Sequence, residues 1–170
     1  PTRTLAPRPT LTPTPTAVPT RDIRTGQRPQ DFRAEYHWRT GSVQPLFQYR
    51  YTIRVGPNRK GEIEYTAGLS GDGPTWVESF DVDEGDLEKL YALMVEHEVF
   101  TKDWEELRPS RRLTGGSSSS LQVIADGAKF GVPEWGAASV RDVYDTINGL
   151  VPELVWEKLR NQRDRYRESG

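Results

Sequence analysis

The chain contains no cysteine, which removes disulfide scaffolds, thiolate metal sites and cysteine nucleophiles together. Methionine occurs once, histidine twice, and lysine is outnumbered by arginine 5 to 18. No run approaches the ~18 apolar residues that a membrane-spanning helix needs. The net charge of −2 gives the whole molecule no bulk attraction to nucleic acid. No glycine fingerprint follows a strand to open a helix, so a dinucleotide-binding fold is not expected, and no serine sits in a G-x-S-x-G elbow.

Seventeen aromatic residues supply material for a core. The longest clean alternation is LFQYRYTIRV (46–55), with Phe47, Tyr49, Tyr51, Ile53 and Val55 on one parity and Gln48, Arg50, Thr52 and Arg54 on the other. Successive side chains of a strand point to opposite faces, so this stretch predicts a half-buried central strand.

Residues 1–30 hold seven of the 13 prolines, eight threonines and no aromatic residue. Proline fixes φ and lacks an N–H, so this stretch is expected to be an extended polyproline tail, a tether or an interaction arm. Residues 31–170 are expected to form a single domain. Charge is uneven: residues 1–30 carry five Arg against one Asp, whereas 78–106 holds eleven acids against Lys89 and Lys102.

Phe32, Ala34, Tyr36 and Trp38 alternate as a first strand ahead of the central one. The run 56–61 predicts a hairpin loop with Gly61 at a positive-φ position. Ile63, Tyr65, Ala67 and Leu69 predict a third strand, and 76–80 a fourth, so short loops give an antiparallel meander. Asp83 is placed as N-cap of a helix over 84–98, whose stripe is Leu87, Leu90, Tyr91, Met94 and Val95. Residues 105–118 read as a mobile loop. Leu121 to Val132 reads as a hairpin turning at Asp126-Gly127. Ser139 with Asp142 resembles a capping box opening a second helix, and Pro152 opens a third that ends in a solvated run, RNQRDRYRES. The expected fold is α+β, in the order ββββ-α-ββ-αα, with the helices packed on one face of an antiparallel sheet.

Candidate chemistry is thin. The acids from Asp81 to Asp86 resemble the start of a calcium loop, but Gly85 and Asp86 stand in reversed order and no helix precedes them; a strand end and helix cap account for them more simply. His37 lies on the polar parity of its strand and His97 at a helix end, and no spacing brings them together as metal ligands. The glycine–serine run 115–120 lacks the lysine and helix of a phosphate loop, although Arg108, Arg111 and Arg112 upstream make an anion contact conceivable there. Gln48, Arg50, Thr52 and Arg54 with Arg39 form a basic stripe, which reads as a solvated face because the aromatics belong to the opposite, core parity. If the helices cover only the aromatic side, this polar face is instead free to meet another subunit or the chain's own tail. No catalytic, cofactor-binding or metal-ligating residue is nominated, and no cofactor is expected.

The TPTPT tail, EYHW-x-x-GS, the YRYTIRVG strand, DLEKLYALMVEHEVF and VYDTINGLVPELVWEKL together resemble uncharacterised bacterial exported or lipoprotein-type domains. That resemblance implies a bacterial, extracytoplasmic setting, at the cell surface or in the periplasm, with a spacer ahead of one folded domain; the lipid-bearing cysteine of the class has no counterpart within 1–170. The expected function is a non-enzymatic accessory or structural subunit of a cell-surface or membrane-associated assembly. Its contacts with protein partners, or with further copies of itself, are expected to run through residues 1–30 and the sheet surface. The competing expectation is a small-ligand-binding or hydrolytic domain with a site near loop 105–118.

Overall fold

A computed structural model describes residues 27–69, 71, 73–111 and 115–169. The stretch 1–26, which holds nearly all of the expected tail, lies outside the described residues, as does Arg112. The fold is α+β. Strands β1 (Arg33–Arg39), β2 (Tyr49–Val55), β3 (Lys60–Ala67) and β4 (Thr75–Asp81) precede helix α1 (Glu84–Glu96). Then come β5 (Ser118–Ala125), β6 (Ala128–Val132), α2 (Arg141–Leu150) and α3 (Glu153–Glu168). All neighbouring strands are antiparallel, in the order β4-β3-β2-β1-β5-β6. The first four form the expected meander. After α1 the chain returns to the opposite edge, where β5 pairs with β1, so β1, the first strand among the described residues, ends in the interior of the sheet.

The apolar parities share one face, and the helices cover it. Tyr91 of α1 meets Phe32 edge-on at 5.3 Å between ring centroids. Tyr144 of α2 lies 4.7 Å from Tyr36, and Trp156 of α3 stands edge-on to Tyr51 at 5.1 Å. Between the layers Phe32, Ile53, Ile63, Leu87, Leu90, Tyr91, Met94, Ile147 and Leu159 are fully buried. Across β1, β2 and β3 the rings of Trp38, Tyr51 and Tyr65 lie nearly parallel, with interplanar angles of 17° and 9°. Offset stacking of this kind suits the ring quadrupole. The Tyr51 hydroxyl donates to Asn148 Oδ1 (2.8 Å), tying the middle of the sheet to α2.

Several local expectations are corrected. The central strand begins at Tyr49, because Pro45 opens a 3₁₀ turn over Pro45–Phe47. Phe47 is consequently 44 % exposed, with the Arg167 guanidinium 4.3 Å over its ring. Gly61 is needed for packing and not for a turn: it faces Phe80, whose ring a Cβ would approach to 2.2 Å, and the positive φ belongs to Arg59. Asp83 does occupy the N-cap position of α1, but its side chain makes no capping bond. Ser139 caps nothing, since Glu134–Val140 is a 3₁₀ segment and α2 starts at Arg141. The Ser139 carbonyl instead accepts from His97 Nδ1 (3.1 Å), joining the end of α1 to the approach of α2. The run after Leu159 is not uniformly solvated: α3 continues to Glu168, and Arg163 donates to the Tyr65 hydroxyl (3.3 Å) while lying over the Tyr49 ring. The Asp126-Gly127 turn is as expected, with φ of 54° and 74°.

Entry to the domain is fixed by two ionic ties. Arg28 pairs with Glu84 and Glu88 on the first turns of α1, and its side chain is only 9 % exposed. Pro29 is buried, so these two residues pack on the domain although composition groups them with the tail. The Asp31 carboxylate accepts the backbone N–H groups of Asp126 and Gly127, each at 2.8 Å. Desolvation pushes its pKa up, but these donors outweigh it and hold the carboxyl below its ordinary value.

Two outcomes are expected. Tyr51→Ala lowers stability by about 3 kcal/mol, the low end of the range for aromatic truncation because the ring keeps some exposure. Tyr51→Phe costs about 1–2 kcal/mol through the unpaired Asn148 oxygen. Unchanged denaturant midpoints would refute the role given to this ring. Burial also pushes the phenols of Tyr51, Tyr65, Tyr144 and Tyr36 upward. The unfolded chain therefore releases these protons near pH ~10 while the folded chain keeps them, so stability is retained below that pH and lost above it. Tyrosinate absorbance from these residues should rise together with loss of circular dichroism, and ionisation in a still-folded chain would contradict the burial.

Candidate functional site: the uncovered face of the sheet

The polar parities of the strands form the second face of the sheet, and among the described residues no helix packs on it. Strand register sorts it into cross-strand rows. Ser118, Arg39, Arg50, Thr66 and Thr75 make the first; Ser120, His37, Thr52, Glu64 and Val77 the second; Gln122, Glu35, Arg54, Glu62 and Ser79 the third. Side chains directly opposite each other in such rows approach to ~4.5–5.5 Å between Cβ atoms, so their charges interact.

The third row is a closed charge lattice. Arg54 reaches Glu35 at 3.0 Å, Glu62 at 3.1 Å and, diagonally, Glu64 at 3.2 Å. Burial works against the guanidinium charge, but the bonds to Glu35 and Glu64 outweigh it and raise the Arg54 pKa above its ordinary value. In the second row His37 Nε2 lies 2.8 Å from Glu35, and its Nδ1 lies 3.1 Å from the Thr52 hydroxyl. A carboxylate only accepts, so Nε2 carries a proton; with a neutral ring, Nδ1 then accepts from Thr52.

The first row is different. Arg39 and Arg50 stand directly opposite each other. Arg39 donates from Nε to the Ser118 hydroxyl (2.7 Å) and from Nη2 to Glu134 (3.1 Å). Arg50 is exposed and has neither an ion pair nor a side-chain hydrogen bond among the described residues. A small cavity of about 110 Å³ opens at this end of the face. Towards the other end the face sinks into a broad depression of about 1220 Å³, bordered by Glu35, Arg54, Lys60, Glu62, Gln122 and Lys129.

The expected basic stripe is thus redistributed. Gln48 lies outside β2 and donates to the Val43 carbonyl (2.8 Å); Arg54 is neutralised; only Arg39 and Arg50 remain as a basic end. The signal for Arg54's partners was present, because Glu62 and Glu64 occupy the polar parity of the next strand. Glu134 had none: it comes from the turn after β6, and only the β5–β1 pairing brings it near Arg39.

The other sequence candidates scatter. Asp81 pairs with Lys60, Glu84 with Arg28, and among the described residues no three His, Asp or Glu side chains are grouped to hold a metal ion. His97 belongs to the helical layer and His37 to the open face, so the two do not converge. In the loop, Asp103 accepts from the Glu105 backbone N–H (3.0 Å), and Arg108 lies over the Trp135 ring at 5.0 Å. Gly116 passes so close to Gly41 that a Cβ on the latter would come within 2.0 Å of the Gly116 oxygen. The loop's far end, Ser118, runs into the small cavity. No protein-family model matches the chain, and no curated protein matches it.

Arg54→Gln leaves Glu35, Glu62 and Glu64 facing one another. The expected loss is about 1 kcal/mol, since each partly exposed pair contributes a few tenths and the freed acids repel. In 1 M salt, where the screening length is ~3 Å, most of that loss should vanish. A loss independent of salt in chemical denaturation would show that the lattice acts through packing and not through charge.

Proposed function

We propose that the chain is a non-enzymatic accessory or structural subunit of an extracytoplasmic, cell-surface or membrane-associated assembly. Residues 1–26 serve as tether or arm, Arg28 and Pro29 being packed on the domain, and the uncovered sheet face receives a protein partner. The observation that carries this reading is the broad depression on that face. Its volume of about 1220 Å³ exceeds the ~300–1,000 Å³ usual for small-molecule clefts, which favours a surface over a molecule. Its lining alternates in sign, with Glu35 and Glu62 between Lys60, Lys129 and the Arg54 guanidinium. A partner fitting it presents polar groups of alternating charge, and its association is sensitive to salt. A solvated antiparallel face is common in itself; the volume of the depression and its charge order are what favour docking here.

The native mass of the 170-residue chain in extract of its own source tests the reading. The chain is expected well above its own 19.3 kDa. The double variant Gln122→Arg, Ile124→Glu is altered only on the open face and places each new charge opposite one of the other sign, Glu35 for the first and Arg33 and Lys129 for the second. It should run as the free chain without losing melting temperature. A wild-type chain that runs alone, or a variant that stays in the complex, refutes docking at this face. A chain lacking residues 1–26 separates tether from arm: a tether is dispensable for the complex in extract, and an arm is not.

A further inference from the structure

We infer that the Arg39–Arg50 end of the open face is a binding site for a small tetrahedral oxyanion, phosphate or sulfate, independently of whether a protein docks on the depression.

The first ground is an imbalance of charge within one sheet face. Among the described residues Arg54 is met by three carboxylates, whereas the Arg39–Arg50 pair has one, Glu134, and it reaches only Arg39. Like charges directly opposite on neighbouring strands are destabilising, and an anion between the two guanidinium groups reverses the sign of that interaction. The second ground is preorganisation. Ser118 and Glu134 hold Arg39 through Nε and Nη2 and leave Nη1 to donate, and because Ser118 Oγ already accepts from Arg39 Nε, its own O–H is left to donate as well. Ser120, across from His37, adds a second hydroxyl at the same wall. The close passage of Gly41 and Gly116 fixes the backbone that leads into Ser118.

The third ground is size. A cavity of about 110 Å³ holds roughly three or four water volumes of ~30 Å³, the scale of an XO₄ ion. Two guanidinium groups on adjacent strands and hydroxyls from a third supply donors from several directions. A tetrahedral ion uses them all, whereas a planar carboxylate is satisfied by a single arginine fork.

Titration of the full chain with inorganic phosphate, followed by calorimetry and by the Ser118 and Ser120 amide resonances, tests this. One saturable site is expected, with sulfate competing and acetate binding at least about tenfold more weakly, as one lost charge-assisted bond implies. Arg50→Gln should weaken phosphate binding about tenfold or more without lowering the melting temperature in the absence of phosphate, because among the described residues Arg50 has no favourable partner to lose and its opposition to Arg39 is relieved. Glu134→Gln, which frees Arg39 from its carboxylate, should strengthen binding. Arg33→Gln removes the same charge from the far end of β1 and should change affinity less than about twofold, since bulk screening confines a general charge effect. Absence of saturation, equal losses in Arg33→Gln and Arg50→Gln, or equal binding of acetate would each overturn the assignment.

Discussion

The parallel rings of Trp38, Tyr51 and Tyr65 make a flat apolar floor across three strands, and the helical layer is laid on that floor. Trp156 stands on it edge-on, Asn148 takes the hydroxyl that projects from it, and Arg163 lies over Tyr49 at its margin. Because strand residues alternate between faces, committing the aromatic parity to this floor commits the other parity to solvent. The polar open face is therefore the necessary complement of the core, and its charge order follows from the same register.

Much of the architecture was legible because it rests on periodicity. Tyr49 to Val55, Ile63 to Ala67 and Leu121 to Val132 alternate in the sequence as they do in the sheet, and Leu87, Leu90, Tyr91 and Met94 mark the buried side of α1. The Asp126-Gly127 turn was legible from residue chemistry alone. What failed were decisions that depend on a distant neighbour. Gly61 reads as a turn residue until Phe80 is seen opposite it, and Arg163 and Arg167 read as solvated until Tyr49 and Phe47 lie beneath them.

The candidate site was less legible, and for a related reason. Parity alone put Arg39, Arg50 and Arg54 on one face but could not say that Arg54 is surrounded by acids and Arg50 is not. That difference arises from Glu62 and Glu64 on β3 and from Glu134 beyond β6, residues of two separate segments. A charge read along one strand is a list; its neighbours across the sheet decide whether it is spent internally or left facing outward.

The place of β1 in the middle of the sheet has a consequence for how the protein comes into being. Its partner on one side follows within a short hairpin, but on the other side Arg39 meets Ser118, 79 residues further along. Pairings of that sequence separation raise the contact order and slow folding. During synthesis from the N-terminus, the meander and α1 emerge before β5, the strand that pairs with the outer edge of β1. Until β5 is made, that edge presents bare N–H and C=O groups to any extended segment nearby. Closure of the outer edge of β1 is therefore a late event, made by β5 in the C-terminal third of the sequence.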